Sequence, residues 1–496
     1  MKKVVIVGGG TAGWMTAASL AHQLGHLGLD ITLVESSEIG TIGVGEATVP
    51  AIRDYFASLG LDTHTVMKAT NGTVKLGIEF VGWAAEGRSF FHPFGQYGAP
   101  AGTTGFHHIW HRLRALGDVT PLAGYNLCTQ LALAGRFTLP NSQPRAAFEA
   151  YDWAIHFDAG LFARFLRGFA EARGVMRIDA RVVDVVLDPH SGLVDAIRLD
   201  NSATVTGELF IDCTGFRGLL IQGALKTGYE DWRRWLPCDR AVALPCTLAG
   251  EASPFTRSTA MTAGWTWRIP LQHRVGNGYV YSSDHIGDDE AEASLRAGLE
   301  GEVQAQANRI RFTTGHATRI WNGNCVAMGL AAGFLEPLES TSIVLIQTGI
   351  EKLIRLFPTQ GIDTAVVHEY NRTSALEYER IRDFILLHYW ASGRDEPLWE
   401  TCRATELPET LRNKIEVFRG HGHLVRYEWE SFQDPSWLSM YAGFGIDARA
   451  RDPGADRFET AQLLDIARRM RADIASAVAR ASPHGDYVAG NCRSDA

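Results

Sequence analysis

Residues 2–13, Lys-Lys-Val-Val-Ile-Val-Gly-Gly-Gly-Thr-Ala-Gly, decide the fold of this chain. The apolar, β-branched stretch through Val7 predicts a buried strand, and the glycines that follow open a predicted helix that runs to Leu24. Glycines in the G-x-G-x-x-G arrangement allow a tight turn, a close approach of the backbone to a pyrophosphate and close packing of helix on strand. The N–H groups at the start of the helix would bind phosphate oxygens. The residues predicted to form this nucleotide loop are Gly8, Gly10, Thr11, Ala12 and Gly13.

A second predicted strand, Ile31–Val34, ends at Glu35. An acidic residue at this point of a βαβ unit accepts hydrogen bonds from ribose hydroxyls. Strand, glycine loop, helix, strand and acid therefore follow in the order that the dinucleotide fingerprint requires, and the pattern predicts nucleotide binding.

Two later segments favour FAD over NAD. Residues 209–215 form an apolar strand that runs into a turn of small residues, as expected where the chain returns to the same sheet. Residues 324–333 form another strand that ends in glycine and alanine, beside which an isoalloxazine ring could lie. Either segment alone is explained equally well by a tight strand-to-helix turn. Together with the first motif, they indicate FAD.

The composition is typical of a large globular protein. The 496 residues are 46% hydrophobic and 21% charged, enough for more than one domain. A net charge of −9 gives no reason to expect nucleic acid or an anionic membrane as a partner. The apolar start after Met-Lys-Lys is also the pattern of a signal peptide. We reject this hypothesis because the glycine loop would lie in the cleaved segment and because no apolar run is long enough to span a bilayer. Seven scattered cysteines indicate a reducing cytoplasm and neither a disulfide framework nor a zinc site.

The spread of the cofactor segments predicts a discontinuous α/β domain with other segments inserted between its strands. Predicted strands in the insertions are 241–244, 264–269 and 278–282, and predicted C-terminal helices are 343–357, 375–390 and 458–478. The predicted organisation is a nucleotide-binding domain of residues 1–80, 151–225 and 323–350, substrate-side segments 81–150 and 226–322, a helical region 351–485 and a flexible polar tail 486–496.

Five collinear motifs resemble the flavin-dependent halogenases of the tryptophan halogenase type. They cover most of the chain to about residue 390, and the match is weaker beyond. The resemblance implies a Rossmann-like FAD-binding fold of the flavin monooxygenase type with an inserted substrate region and a helical C-terminal part. The motifs are Gly8–Gly13, Gly43-Val44-Gly45-Glu46-Ala47-Thr48-Val49-Pro50, Lys75 within Val74–Phe80, Trp265-x-Trp267-x-Ile269-Pro270, and Phe334-Leu335-Glu336-Pro337-Leu338-Glu339-Ser340-Thr341-Ser342.

The resemblance also implies the cofactors and partners. A separate NAD(P)H-dependent flavin reductase supplies reduced FAD, O2 is a co-substrate, and bromide or chloride is oxidised to hypohalous acid. The chain carries no second glycine-rich fingerprint for NAD(P)H, which agrees with an external reductase. The oligomeric state stays open, with a dimer as one possibility. Further cofactor contacts are expected at Glu35, Gly45, Glu46, Ala47, Gly329 and Leu338, and halide contacts at Thr341 and Ser342.

Lys75 and Glu339 are the catalytic candidates, and each has a second interpretation. Lys75 lies among apolar residues, so its ammonium either reaches solvent along the protein surface or enters a pocket. Spacing alone favours solvent, whereas the resemblance favours a pocket in which Lys75 guides the oxidant by hydrogen bonding or as a haloamine. Glu339, with Ser340 and Thr341, could cap the helix that follows, whereas the resemblance implies that Glu339 polarises the oxidant or removes the ring proton. These two interpretations are compatible.

Trp265 and Trp267 lie on one face of a predicted strand, because side chains alternate along a strand. Core packing would explain them, whereas the resemblance makes them a wall between flavin and substrate. His92 and Phe94 match the His-x-Phe element that lines the aromatic substrate pocket in this family, although a lone histidine beside proline is often structural. Ser340 is assigned to the same pocket or wall.

Three other interpretations compete with halogenation. His107, His108 and His111 lie within one helical turn, but no nearby Cys or Asp completes a metal site, so we predict no metal. A single-component flavin hydroxylase would place Asp after the late glycines, where this chain has Phe334. A non-catalytic FAD-binding protein would not need both Lys75 and Glu339.

The C-terminal part departs from the pattern of tryptophan-specific members. Residues 426–437 read Arg-Tyr-Glu-Trp-Glu-Ser-Phe-Gln-Asp-Pro-Ser-Trp and lack the Tyr-Tyr and Phe-Trp pairs of the segment that grips the amino-acid backbone. Without partners, the ammonium and carboxylate of free tryptophan would be desolvated at a cost. We therefore predict indole or an indole derivative as the substrate, bound in an open pocket around His92 and Phe94.

Overall fold

The computed structural model describes residues 1–39 and 45–494. Gly43 and Val44 of the second motif lie outside these ranges. The strands are β1 (Lys3–Val7), β2 (Asp30–Glu35), β3 (Gly45–Ala47), β4 (Thr73–Lys75), β5 (Gly77–Val81), β6 (Ser89–Pro93), β7 (Arg136–Phe137), β8 (Ala154–Asp158), β9 (Met176–Asp179), β10 (Val182–Leu187), β11 (Val194–Leu199), β12 (Thr204–Thr206), β13 (Leu209–Asp212), β14 (Tyr229–Asp231), β15 (Arg240–Cys246), β16 (Thr256–Met261), β17 (Gly264–Pro270), β18 (Val275–Tyr281), β19 (Asn308–Arg311), β20 (Gly315–Ala317), β21 (Trp321–Asn322), β22 (Cys325–Ala327), β23 (Gly333–Phe334) and β24 (Ser482–Pro483). The helices are α1 (Thr11–Gln23), α2 (Ala51–Ser58), α3 (Thr63–Ala69), α4 (Phe106–Ala115), α5 (Leu127–Leu133), α6 (Ala159–Glu171), α7 (Asp288–Ala297), α8 (Ser342–Arg355), α9 (Thr364–Trp390), α10 (Pro397–Ala404), α11 (Glu409–His421), α12 (Asp434–Phe444), α13 (Thr460–Arg480) and α14 (His484–Asn491).

The predicted α/β class is confirmed by a six-stranded sheet in the order β21-β22-β13-β1-β2-β9. All its strands run parallel except β21 at one edge, which pairs antiparallel with β22. β1 lies inside the sheet and is buried from Val4 to Val7, as its β-branched residues predicted. The three cofactor strands of the sequence, β1, β13 and β22, are neighbours in this sheet, so their carboxyl ends meet at one edge.

A seven-stranded sheet forms the second layer, in the order β19-β15-β18-β17-β16-β5-β6. β4 belongs to a different, three-stranded sheet, β3-β8-β4. The chain therefore crosses from one sheet to another at Leu76, between Lys75 and Gly77. The predicted domain boundary at residue 80 falls inside β5, which pairs with β6 and β16 of the seven-stranded sheet.

Helices dominate the C-terminal part, as predicted. α9 is longer than its predicted 375–390, while α8 and α13 match their predictions to within about two residues. The prediction of a flexible tail from residue 486 is wrong for the part that the structure describes. α14 covers most of it, and Cys492 beyond the helix is buried. The tail is held because the buried His484 accepts a hydrogen bond from the backbone of Val74 through Nε2 and bonds Ala252 O through Nδ1.

The seven cysteines are buried and none forms a disulfide in the described structure. Across residues 1–39 and 45–494, no helix has the length and apolar character needed to cross a membrane.

Candidate active site

A cleft of about 430 Å3 opens at the carboxyl ends of β1 and β2. The glycine loop forms one side of it. Gly8 has φ +108°, and a Cβ there would lie 2.3 Å from the carbonyl oxygen of Cys213. At Gly10 a Cβ would meet nothing within 4 Å, so the backbone borders open space. The loop thus leaves room for the close approach of a phosphate group, and these residues fit the pyrophosphate of FAD.

Gly13 has a different role from the other glycines of the loop. A Cβ at Gly13 would lie 1.9 Å from the carbonyl oxygen of Gly8, so the residue permits close packing of α1 against β1. α1 starts after Gly10 without a side-chain cap, which leaves its first N–H groups available to an anion.

Glu35 lies at the end of β2 and lines the cleft beside this loop. Its Oε1 accepts a hydrogen bond from Arg177 Nε at 2.5 Å, and its Oε2 accepts one from Trp14 Nε1 at 3.3 Å. These partners fix the carboxylate, and each oxygen has a further lone pair that can accept a ribose hydroxyl. The residues predicted to bind cofactor that line the cleft are Gly8, Gly10, Thr11, Ala12, Glu35, Gly45, Glu46, Ala47, Gly329 and Leu338.

Trp265 and Trp267 line another side of the same cleft. They lie on one face of β17, as predicted, and are 1% and 8% exposed, with ring centroids 6.1 Å apart. Gly278 on β18 lies opposite Trp267, and a Cβ there would overlap the indole at 2.0 Å. The absence of a side chain at Gly278 therefore leaves the space that this indole occupies. We call Trp265 and Trp267 the tryptophan wall.

Lys75 is fully buried where the chain crosses between the two sheets, so the interpretation that it reaches solvent is wrong. Its Nζ donates hydrogen bonds to Thr48 O at 2.8 Å and Ser340 Oγ at 2.7 Å, and lies 5.2 Å from the centroid of Phe94. Burial lowers the pKa of Lys75 to about 7, against the opposing effect of the negative charge on Glu339. The amine therefore exchanges protons near neutral pH.

Glu339 lies between two buried histidines. Its Oε2 is 2.8 Å from His92 Nδ1, and its Oε1 is 2.8 Å from His388 Nε2. Burial alone would raise the pKa of Glu339, but the two histidines more than offset this effect and hold the pKa at about 2. Glu339 does not cap α8, because its oxygens bind these side chains.

The hydrogen bonds of His388 define its role. Its Nδ1 is 2.8 Å from Phe384 O, and a carbonyl oxygen only accepts, so Nδ1 carries a proton. Its Nε2 lies 2.8 Å from Glu339 Oε1. His388 thus links the backbone of α9 to the Glu339 carboxyl group and fixes the position of that group.

Residues 340–342 connect the buried pair to the cleft. Ser340 lines the cleft, accepts the hydrogen bond from Lys75, and has φ +62°, a left-handed conformation that costs a non-glycine residue about 1–2 kcal/mol. Thr341 precedes the first residue of α8, and its buried Oγ1 has no partner among the described residues. Ser342 lines the cleft at the start of α8.

His92 is 2% exposed and lies among aromatic rings, so the expectation of an open pocket around it is wrong. The centroids of Phe384, Phe432 and Phe94 lie 5.7, 6.2 and 6.5 Å from the imidazole. Phe432 stacks on Phe384 with centroids 3.9 Å apart. The space beside His92 is therefore shaped for flat aromatic rings and is filled here by Phe432.

The three histidines near the start of α4 form hydrogen bonds with backbone atoms. His107 Nε2 lies 2.8 Å from Gly422 O, His111 Nε2 lies 3.1 Å from Ala448 O, and His108 Nδ1 accepts from Asp452 N at 3.2 Å. Within the described ranges, no three His, Cys, Asp or Glu side chains come together to hold a metal ion.

Sequence reasoning missed His388 and gave no separate role to Glu336, which accepts a hydrogen bond from Trp265 Nε1 at 2.8 Å. The sequence does contain a feature that points to His388, because it is the one residue with a basic side chain in the apolar run 384–389 of a predicted helix. A buried helix face tolerates such a residue only when it has a partner.

The glycine loop, the paired tryptophans and the buried Lys75 and Glu339 are the features that the resemblance to flavin-dependent halogenases predicted. The profile of the tryptophan halogenase family matches residues 3–460, and the chain belongs to this family. It is similar to BrvH, a flavin-dependent halogenase from Brevundimonas sp. BAL3, with a TM-score of 0.96 and 49% identity over 99% of both chains. Xcc4156, a flavin-dependent halogenase from Xanthomonas campestris, gives a TM-score of 0.96 and 44% identity over 100% of this chain and 99% of the other. The tryptophan 6-halogenase SttH from Streptomyces toxytricini is 38% identical over 442 residues, 84% of each chain.

These findings confirm the predicted family, its Rossmann-like FAD-binding fold and the enzyme class. Halogenases of this family use reduced FAD, O2 and halide on an aromatic substrate, with a separate flavin reductase.

Proposed function

We propose that this enzyme halogenates indole or an indole derivative in preference to free tryptophan, with hypohalous acid that Lys75 guides to the ring. One observation carries the proposal of halogenation by a guided oxidant. The tryptophan wall faces the cleft, whereas Lys75 and Glu339 are buried outside the cleft lining that the described residues form. Such an arrangement keeps an aromatic substrate away from the flavin, so that only a small oxidant travels between them.

FAD, when bound in the cleft and reduced, supplies the activation of O2 that oxidises halide to hypohalous acid. The protein contributes the glycine loop and the α1 N-terminus for the pyrophosphate, and Glu35 for the ribose. Gly329 has φ +63°, and a Cβ there would lie 2.7 Å from the Cβ of Ala12. The turn that follows β22 therefore comes close to the start of α1.

The halide is proposed to bind near Thr341 and Ser342. α8 has 14 residues, and its first N–H groups favour an anion. The buried Oγ1 of Thr341, which has no partner among residues 1–39 and 45–494, supplies a second donor at the same place. Bromide is easier to desolvate and oxidise than chloride, and we propose that it is the preferred halide.

Lys75 is proposed to receive the oxidant. As an ammonium it would donate a hydrogen bond to hypohalous acid. As a neutral amine its nitrogen would take the halogen from hypohalous acid, which breaks the oxygen–halogen bond and releases water, and so form a haloamine. Its pKa of about 7 makes both forms accessible near neutral pH, so the two routes remain alternatives. Ser340 and Thr48 hold the amine in place for either route.

Glu339 is proposed to act by charge. With a pKa of about 2 and both oxygens bound to histidines, its carboxylate is a weak base. A fixed negative charge in a buried site stabilises the cationic ring that forms when halogen adds to the substrate. This environment favours electrostatic stabilisation over removal of the ring proton.

The preference for indole over tryptophan rests on the segment 426–434. Its four charged side chains are paired within the protein: Arg426 with Asp434, Glu428 with Arg372, and Glu430 with Lys414. An amino-acid substrate would have to break these pairs or leave its own ammonium and carboxylate without partners, which costs binding energy. A neutral indole requires neither.

The proposal is tested by incubating the protein with FAD, a flavin reductase, NADH, bromide and indole. We expect a brominated indole, seen by mass spectrometry as the bromine isotope doublet, and no such product when bromide or FAD is left out. A hydroxylated product without bromine would contradict the proposal.

A further inference from the structure

Glu336 is a second buried glutamate in the turn that carries Glu339. It is fully buried, and its Oε2 accepts hydrogen bonds from Trp265 Nε1 at 2.8 Å and from Tyr389 Oη at 2.5 Å. Its Oε1 is buried without a partner among the described residues. The side chain of Trp265 has one hydrogen-bonding group, the indole N–H, and Glu336 binds it.

Helix α9 reaches both glutamates through consecutive residues. His388 binds Glu339, and Tyr389 binds Glu336. The turn of residues 336–339, which lies between the flavin cleft and the buried Lys75, is thus bound to α9 at two points. At one of these points, Glu336 also binds Trp265 of the tryptophan wall.

We infer that Glu336 is a positioning residue of the tryptophan wall, which anchors the Trp265 indole and so confines hypohalous acid to the protein on its way to Lys75. This inference rests on the proposed function. An aromatic ring held by packing alone can turn within its site, whereas a hydrogen bond fixes its edge. The contribution of one such bond shifts the balance between anchored and turned rings roughly 2- to 12-fold.

The charge state of Glu336 suggests the decisive variants. Burial raises the pKa of Glu336 to about 7, against the opposing effect of the hydrogen bonds from Trp265 and Tyr389. Its Oε1 has no partner among the described residues, and burying such an oxygen costs less free energy in a neutral carboxyl group than in an anion. Gln has the same shape and keeps one carbonyl oxygen to accept both bonds. Glu336→Gln should therefore preserve the anchor, whereas Glu336→Leu removes it.

Tyr389→Phe is the matched control. It removes the other hydrogen bond to Glu336 Oε2 and lowers stability in the same region, but it leaves the bond from Trp265 in place. A role of Glu336 in stability alone would affect both variants in the same way. A role in anchoring Trp265 would separate them.

The experiment measures brominated indole formed per reduced FAD oxidised, with and without methionine as a scavenger of hypohalous acid in solution, together with thermal unfolding. For Glu336→Leu we expect the yield to fall at least about 2-fold and to become more sensitive to methionine than in the wild type. Glu336→Gln and Tyr389→Phe should keep the wild-type yield and methionine sensitivity, and Tyr389→Phe should unfold at lower temperature.

Wild-type yield in folded Glu336→Leu, or an equal loss in Tyr389→Phe or Glu336→Gln, would overturn the inference. If Glu336→Leu does not fold, Trp265→Phe removes the same bond from the other side, and wild-type yield in that variant would overturn it equally. Absence of brominated product in the wild-type enzyme would instead contradict the proposed function.

Discussion

Replacing Glu339 by Gln tests the central claim about the buried charge. The substitution keeps the size of the side chain but removes the carboxylate that His92 and His388 hold. We expect turnover to fall by roughly 10²-fold or more, the usual scale for loss of an electrostatic or acid–base group in an active site.

The same substitution has a predictable effect on stability. A pKa of about 2 in place of the ordinary 4.5 corresponds to on the order of 3 kcal/mol of folding free energy at neutral pH. Because the pKa is lowered by folding, this contribution is fully present above pH 4.5 and is lost as the pH falls toward 2. Urea unfolding should therefore show a steeper loss of stability between these pH values in the wild type than in Glu339→Gln.

Glu377→Gln is the control. Glu377 is also buried, and it accepts hydrogen bonds from Lys352 Nζ at 2.5 Å and Thr348 Oγ1 at 2.9 Å. This variant should lose stability at neutral pH but keep the turnover of its folded fraction, measured as bromination of indole. Near-normal turnover in folded Glu339→Gln, or an equal loss in Glu377→Gln, would refute the catalytic role of Glu339.

The other predictions concern the lysine, its titration, the halide and the substrate. Lys75→Ala should abolish halogenated product while FAD still binds, measured by flavin titration, and substantial product would remove Lys75 from the mechanism. Turnover of the wild type should change with pH around 7, where Lys75 titrates. In Glu339→Gln this inflection should move to lower pH, because the charge of Glu339 raises the pKa of Lys75, and an unmoved inflection would speak against the assignment. Thr341→Val should raise the half-saturating bromide concentration roughly 10-fold, since an anion loses one hydrogen bond, and an unchanged bromide dependence would place the halide elsewhere. Indole should show a higher specificity constant than L-tryptophan under one halide and one reductase, and the reverse order would exclude the proposed preference.

Short-range sequence pattern was enough to predict the nucleotide-binding fold and the shared face of the tryptophan wall. The strand through Val7, the glycine loop and Glu35 follow one another within about 35 residues, so local propensity and glycine geometry predict a nucleotide fold without knowledge of distant contacts. The alternation of side chains along a strand likewise placed Trp265 and Trp267 on one face.

The environment of the catalytic candidates required the tertiary structure. Spacing alone favoured an exposed Lys75, and only the crossing between two sheets at Leu76 buries it and lowers its pKa. Glu339 meets His92, which is 247 residues away in the chain, and His388, which is 49 away. Helix α14 is held in place for a similar reason, because His484 at its start binds the backbone next to Lys75.

The sequence by itself determined which chemical groups this enzyme has and the local structure on which each lies, because those follow from neighbouring residues. Whether Lys75 is buried, whether Glu339 is charged and what holds Trp265 in place were decided by the tertiary structure. Desolvation, charge and hydrogen bonding depend on groups that only folding brings together.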